Sequence, residues 1–253
     1  MFTEARKQKI KFSIIIIVIS VVIFVALFSM LKYHVEGEKN MPFNLGKIIV
    51  ISSATTTPNL NEQSEEIQEN YLWQENVIQT NDVYIYIDKN EKFKEDEIIK
   101  NVRIENIQIL KNVKLGNIQV YMPNSLDDGL YNYTNDFLVN STLTYKGAKA
   151  DNKKALEIGN QGGCICISFA NMGIGVYKSN EEEVIEQGAY ILEKMNILNE
   201  DLFFKVSFDL IIEVSNKSYK GTITLDLPVD NIVGNKESHI EITDFKNVIF
   251  KRF

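Results

Sequence analysis

Cysteine and histidine are scarce in this chain, which has two of each in 253 residues. A disulfide framework needs more cysteines, spread along the chain, and is therefore excluded. Cys164 and Cys166 stand two apart in a segment typical of a strand, so their side chains share a face, with Cα atoms about 7 Å apart. That distance is at the limit for a disulfide. We expect two small buried thiols, with a redox pair as the alternative.

The two histidines, His34 and His239, have no neighbouring residues in the pattern that catalysis or metal binding requires. A nucleophile needs a base that is oriented by a third group, and a structural zinc needs four ligands. Gly162 and Gly163 lead into a strand rather than a helix, so they do not form a phosphate-binding loop. The sequence predicts surface histidines, no catalytic residues, no cofactor and no metal.

Positive charge is in short supply beyond the N-terminus. The formal net charge is −7, and residues 1–11 contribute +3 from four basic residues and one glutamate, which leaves −10 on residues 12–253. An acidic domain repels phosphates. This argues against nucleic acid and against anionic lipid headgroups as partners.

One long segment, residues 12–31, contains no charge, no proline and no glycine. About 20 residues at 1.5 Å each form a helix of roughly 30 Å, the thickness of the hydrocarbon core of a bilayer. Basic residues precede the segment and stay on the cytoplasmic side. We predict a cytoplasmic tail over 1–11, a transmembrane helix in contact with lipid over 12–32, a juxtamembrane linker over 33–46 and an extracytoplasmic domain over 47–253.

Two alternatives to a simple anchor fit this segment less well. A cleaved signal peptide has a shorter apolar region and small residues at its cleavage site, whereas bulky residues end this one. The span could instead be the interaction element itself, through Ser13, Ser20 and Ser29, but it lacks a Gly-x-x-x-Gly motif. We therefore expect an uncleaved anchor.

Strand-like patterns dominate the residues that follow the span. Residues 47–52, KIIVIS, predict a short buried strand, residues 53–70 a polar surface loop, and residues 247–252 one of the last strands. Residues 204–227 alternate throughout and predict a long antiparallel hairpin with one wet face. Residues 97–110 change face at Glu105 and Asn106, which predicts a bulge. Residues 181–195 have helical spacing and predict the one helix outside the span, which Gly188 could shorten to its second half. The predicted fold is mainly β, an antiparallel two-sheet sandwich with one short helix; the alternative is two β domains meeting near 123–136.

Three groups of residues are candidates for chemistry or binding. Asp209 and Asp226 lie mid-strand and are expected to pair with Lys220 or Lys205. Because the chain has 34 acidic residues, finding two carboxylates at the spacing of a glycoside hydrolase would be only weak evidence for an enzyme. A polar loop has oxygen ligands but lacks the order of a calcium loop, so a solvated turn is expected there: Asp127, Asp128, Asn132, Asn135 and Asp136. Aromatic residues in or beside strands could form a sugar-stacking surface: Trp73, Tyr84, Tyr86, Tyr121, Tyr131, Tyr133 and Tyr145.

Several phrases occur together along the chain: GEKNMPFNLGKIIVIS after the span, then NDVYIYIDKN, GNQGGCICISF, KVSFDLIIEV, TLDLPV and NVIFKR. In these phrases the chain resembles a family of single-pass membrane proteins from low-GC Gram-positive bacteria, chiefly clostridia. The resemblance implies a location in the bacterial envelope and one anchored domain. It implies no activity and no functional residues.

The leading functional hypothesis is a non-enzymatic, membrane-anchored β domain that binds a partner in the cell envelope, either a protein or a wall polymer. Its support is the topology together with the lack of a catalytic constellation. The alternative is an envelope hydrolase that acts on glycan or peptide with carboxylates alone.

Overall fold

The structure of the chain is a computed structural model that describes residues 4–58, 73–121, 143–147, 156–159, 162–179, 188–235 and 237–252. Within these ranges it is mainly β, as predicted, with two packed sheets and two α-helices. The polar loop at 127–136, predicted to be a solvated turn, and the alternative domain boundary at 123–136 lie outside the described residues.

Helix α1, Glu4–Glu36, contains the apolar segment. Its part from Lys11 to Glu36 is long and apolar enough to cross a bilayer, and none of it is buried against the rest of the protein. The helix extends four residues beyond the predicted 12–32, so the predicted linker 33–46 is shorter than expected. Gly37 ends the helix in a left-handed conformation with φ +72°, and its N–H donates to the Tyr33 carbonyl over 2.9 Å.

The strands are divided between two sheets. In order they are β1 (Phe43–Pro58), β2 (Trp73–Lys89), β3 (Ile99–Lys111), β4 (Asn117–Tyr121), β5 (Leu143–Gly147), β6 (Leu156–Ile158), β7 (Gly162–Ser179), β8 (Phe204–Val214), β9 (Lys217–Leu227), β10 (Glu237–Ile242) and β11 (Lys251–Arg252). The first sheet has the order β10-β1-β2-β7-β4, and the second has the order β11-β9-β8-β3-β5-β6. Neighbours are antiparallel except β5 and β6, which are parallel.

The main core lies between the two sheets. Alternate residues of β2 and β8, among them Val83, Ile85, Phe208 and Leu210, are fully buried there. Phe43 at the start of β1 packs edge-on against Tyr219 and Phe250, with 5.4 Å between ring centroids in each case. Burying such side chains stabilises the fold by about 1.5–3 kcal/mol each. The core therefore joins residues from both ends of the domain.

A second, smaller apolar cluster lies under helix α2, Gly188–Lys194. Ile191 and Leu192 of this helix pack on Ala54, Val77 and Ile174, which belong to the far ends of β1, β2 and β7. The helix occupies the second half of the predicted 181–195; residues 180–187 lie outside the described ranges.

A buried polar layer separates the two apolar clusters. Ser52 donates to Asn81 Oδ1 over 2.8 Å, and Asn171 donates to Gln79 Oε1 over 3.2 Å. The N–H of Val229 donates to the Ser52 hydroxyl over 3.1 Å, which ties the chain after β9 to β1. Because buried polar groups are costly when unpaired, these bonds favour one register of the three longest strands.

Local predictions in β3 and in the β8–β9 hairpin are confirmed. The register of β3 against β8 shifts between Glu105 and Gln108, and Asn106 has φ +52°. Strands β8 and β9 pair from Phe204–Leu227 to Val214–Lys217. The inward side chains of the hairpin are the predicted ones.

Two strand predictions were wrong at their ends. Residues 53–58, predicted as a polar loop, continue β1 because they pair with Glu75–Thr80 of β2. Residues 247–252 were predicted as a strand, yet only Lys251 and Arg252 pair, with Lys220 and Tyr219 of β9. In both cases a segment forms a strand only where a strand that is distant in sequence lies beside it.

Candidate functional site

The outer face of the first sheet combines aromatic, aliphatic and thiol side chains. Strict alternation in β2 places Val83, Ile85 and Ile87 in the core, so Tyr84 and Tyr86 point away from it. The same alternation in β1 and β7 brings further residues to this side. We name the set the tyrosine–cysteine face: Ile49, Ile51, Tyr84, Tyr86, Cys164 and Cys166.

Strand register arranges this face in cross-strand rows. Ile49 of β1 pairs with Tyr84 of β2, which pairs with Cys166 of β7. In the adjacent row, Tyr86 lies between Lys47 and Cys164. Five of the six residues of the face are half-buried, and Cys164 is exposed. The face is therefore a flat, partly accessible surface rather than a core.

Charge at the rim of this face is balanced. The Lys47 ammonium lies 5.3 Å from the centre of the Tyr86 ring and 3.0 Å from a carboxylate oxygen of Glu241 on β10. An ammonium at that distance is attracted by the ring and by the carboxylate together. This part of the rim is thus polar and carries no net charge.

The centre of the face is uncharged at neutral pH. Burial, and after it the nearby Cys166 and Asp82, raises the pKa of Tyr84 to about 12. The pKa of Tyr86 is raised, first by the charge that the Cys164 thiolate would carry. Burial also raises the pKa of both thiols. Two phenols and two thiols therefore stay protonated.

The thiols differ from the prediction of two buried side chains. The two cysteines do share a face, as predicted, but it is the outer one, and Cys164 is exposed. The expectation of buried thiols rested on the apolar look of the strand, whereas the core side of β7 is filled by Ile165, Ile167 and Phe169. Since the thiolate is the reactive form, the raised pKa of both thiols disfavours the alternative of a redox pair.

A serine and an aspartate meet at one end of the face without forming a catalytic triad. Ser168 donates its hydroxyl hydrogen to Asp82, which is buried. His239 lies in the same cross-strand row, with Ile51 of β1 between it and Asp82. Two strand spacings separate histidine from aspartate by roughly 10 Å, and a triad requires direct hydrogen bonds. These three residues do not provide nucleophilic catalysis.

The two acids singled out from the sequence both pair with lysines on the outer face of the second sheet, as predicted. Asp209 Oδ2 lies 2.6 Å from Lys220 Nζ, and Asp226 Oδ1 lies 3.2 Å from Lys205 Nζ. Neither pair lies with a second carboxylate in a pocket among those found in the described residues. The arrangement is that of cross-strand ion pairs.

The remaining candidates are scattered. His34 Nδ1 lies 3.1 Å from Lys251 Nζ, and His239 is exposed on β10.

Of the aromatic candidates, Tyr84 and Tyr86 lie on the same face of β2. Trp73 begins β2, Tyr121 ends β4 and Tyr145 lies in β5, while Tyr131 and Tyr133 are outside the described ranges. Across the part of the chain that the structure describes, His, Cys, Asp and Glu form no group of three suited to a metal.

Comparison of the chain with protein-family models, with curated proteins and with solved structures found no match. We therefore infer function from the side chains of the chain itself.

The contribution of β1 to this face differs from the prediction. The segment KIIVIS is predicted to be a short buried strand, yet Ile48 and Val50 face the core while Lys47, Ile49 and Ile51 face outward. The charged Lys47 in the outward series was the available signal, because a charge at one end of an alternating series marks the solvent side.

Proposed function

We propose that this chain is a single-pass membrane protein whose β-sandwich, on the outer side of the membrane, binds a protein of the cell envelope through the tyrosine–cysteine face. The observation that carries the proposal is the chemistry of that face. It is flat, with uncharged aromatic, aliphatic and thiol side chains at its centre, a Lys47–Glu241 pair at its rim and the buried Asp82 at one end. Protein interfaces have the same anatomy, with an apolar centre and a polar rim.

The size of the face fits a small or transient contact. Three strands at about 4.8 Å and three rows at about 6.8 Å give a surface of roughly 300 Å². Apolar patches of this size on a monomer often mark interaction sites. A standard interface buries about 800 Å² on each partner, so the partner would also contact residues around the face.

The membrane part of the proposal rests on α1. Its apolar side chains are exposed along the whole Lys11–Glu36 segment, a surface that lipid covers favourably. The basic residues of the first turns support a cytoplasmic N-terminus. Protease added to intact spheroplasts should digest the chain beyond Lys32; protection of that region would overturn the orientation.

The binding test compares two outer faces of the same domain. Full-length tagged protein is purified in mild detergent, and bound proteins are quantified by mass spectrometry. One variant carries Ile49→Lys and Tyr86→Lys on the tyrosine–cysteine face. The matched control carries Ser207→Lys and Thr224→Lys on the second sheet, where the two residues pair across β8 and β9. Both variants add two positive charges at solvent-facing positions.

We expect recovery of a specific partner to fall at least about tenfold in the first variant, because two lysine charges at the centre of the interface must be desolvated when the partner binds. Recovery in the control should stay within about twofold. Equal recovery from wild type and both variants, or equal loss from both, would contradict the proposal. Thermal unfolding of each variant separates loss of binding from loss of fold.

Native thiol chemistry offers a second readout. Cys164 lies within the face and is exposed, so a bound protein should slow its alkylation by a maleimide in native membranes relative to the purified protein. Equal alkylation rates in the two preparations would place the partner elsewhere on the domain.

A wall polymer is the second candidate partner, favoured by the neighbouring rings of Tyr84 and Tyr86. Sugars stack on aromatic faces, so binding to purified wall glycan should survive Tyr86→Phe and fail with Tyr86→Ala. The proteins recovered in the detergent purification would then be the same for wild type and for the Ile49→Lys/Tyr86→Lys variant.

A further inference from the structure

A concave pocket of about 510 Å³ lies where the end of α1 meets the last strand of the second sheet. We name it the juxtamembrane pocket. Its lining includes three cationic side chains, two further polar groups and one isoleucine: Tyr33, Lys220, Asn247, Ile249, Lys251 and Arg252.

Direct bonds hold this pocket at the end of the membrane helix. The hydroxyl oxygen of Tyr33 accepts the backbone N–H of Arg252 over 2.8 Å. Glu38 donates its N–H to the carbonyl of Phe250 over 2.7 Å. Lys251 Nζ lies 3.1 Å from His34 Nδ1. The C-terminal residues are therefore attached to the helix end rather than suspended on a long linker.

The bonds also set the depth of the pocket. Leu31 is the last residue of the apolar segment, and Tyr33 follows two residues later, about 3 Å further along the helix axis. When α1 spans the bilayer, Tyr33 lies at the level of the headgroups, the usual position of an interfacial tyrosine. Lys251 and Arg252 lie at the same level because they contact Tyr33 and its neighbour.

The charge of the pocket is opposite to that of the domain as a whole. Lys220, Lys251 and Arg252 line it, and no carboxylate is among the described lining residues. Lys220 is engaged by Asp209 at 2.6 Å, so Lys251 and Arg252 are the cations best able to accept a new partner. Salt screens charges beyond about 8 Å at physiological ionic strength, so a ligand in the pocket responds to these side chains more than to the net charge of −10 on residues 12–253.

We propose that the juxtamembrane pocket binds the phosphate of an anionic phospholipid from the surrounding leaflet. Lys251 and Arg252 supply charge-assisted hydrogen bonds to the phosphate oxygens, with the fork of the arginine able to contact two of them. Asn247 and the Tyr33 hydroxyl donate to the headgroup, and Ile249 packs against its glycerol end. This proposal rests on the membrane insertion of α1 but not on the tyrosine–cysteine face.

The test is lipid binding to the full-length protein in detergent, measured by native mass spectrometry during titration with phosphatidylglycerol or phosphatidylcholine. The wild-type protein should bind phosphatidylglycerol more tightly than phosphatidylcholine. Lys251→Gln with Arg252→Gln should weaken that binding by about 25-fold, since each basic residue near an anionic surface contributes about fivefold. A conservative variant, Lys251→Arg with Arg252→Lys, should bind as wild type does.

The matched control removes two exposed lysines elsewhere, Lys100→Gln with Lys205→Gln, and should bind as wild type does. Equal affinity of wild type and the Lys251→Gln/Arg252→Gln variant for phosphatidylglycerol would overturn the proposal. So would binding of soluble polyglycerol phosphate as tight as that of the lipid, because the phosphate would then come from a wall polymer. The assay contains no envelope protein, so its result does not depend on whether the tyrosine–cysteine face binds one. Membrane fractionation tests separately whether α1 is inserted in the membrane.

Discussion

The two outer faces of the sandwich have opposite chemistry although they belong to sheets of similar size. On the second sheet, charged and hydroxyl side chains are linked into a lattice. Arg103 lies 2.9 Å from Glu105 and 3.8 Å from Glu213, and Asn101 donates to Glu213 over 2.7 Å. On the first sheet, the equivalent side carries the tyrosine–cysteine face. One face satisfies its own polar groups, and the other has little charge to satisfy.

This difference separates stability from recognition. A lattice of short ion pairs and hydrogen bonds stabilises the sheet that carries it and offers few free groups to a partner. A flat neutral surface contributes little to its own sheet, and a partner can cover it at a small desolvation cost. Substitutions on the second sheet should therefore alter stability, and those on the first should alter binding.

The largest stability effect should come from Asp209, the most buried acid of the lattice. It accepts hydrogen bonds from Asn106 over 2.6 Å and Thr222 over 2.7 Å, in addition to its ion pair with Lys220. Asp209→Ala should lower the free energy of unfolding by about 2–4 kcal/mol, because three donors lose their acceptor. Urea unfolding of the full-length protein in mild detergent measures this. A change below about 0.5 kcal/mol would remove the contrast between the faces.

The contribution of Asp209 should depend on pH. Burial acts to raise the pKa of this carboxyl, but the bonds from Lys220, Asn106 and Thr222 outweigh burial and hold it below the ordinary value. A lowered folded pKa means that the stabilisation is present above the pKa of the unfolded chain, about 3.9, and is lost as the pH falls through the folded value. The stability difference between wild type and Asp209→Asn should be constant from about pH 7 to pH 5 and shrink below about pH 4. A difference that persists unchanged to pH 2 would contradict this assignment.

The two thiols of the first sheet should react at different rates. Cys164 is exposed and Cys166 is half-buried, so a maleimide should modify Cys164 at least about tenfold faster. Because burial raises the pKa of both, their rates should still be increasing above pH 9. Mass spectrometry of Cys164→Ser and Cys166→Ser proteins gives each rate; faster labelling of Cys166 would show that the accessible surface differs from the one described.

The smallest effect should come from the exposed pair of Lys205 and Asp226, which lies on the same sheet as Asp209. Water screens this pair, so a double-mutant cycle with Lys205→Ala and Asp226→Ala should give a coupling energy of at most about 0.5 kcal/mol. Thermal unfolding of the four proteins provides the cycle. A coupling above about 1.5 kcal/mol would extend the stabilising lattice to the exposed end of the hairpin.

Local patterns in the sequence determined much of the fold. An uncharged run determined α1, strict alternation determined the β8–β9 hairpin, and a change of face in the alternation located the irregularity at Asn106. These features depend on which side of a single element is apolar, and the order of residues records that directly. The pairing of Asp209 and Asp226 with lysines was predictable for the same reason, since the hairpin register follows from its short turn.

Tertiary structure alone decided the pairing of distant strands and, with it, the candidate sites. Residues 53–58 form a strand because β2 lies beside them, and Ile49, Tyr84 and Cys166 form one row because β7 returns next to β2. The juxtamembrane pocket likewise joins Tyr33 to Arg252. Alternation shows that a strand has two sides but not what covers each side. That depends on contacts between residues far apart in the chain, which a local pattern does not encode.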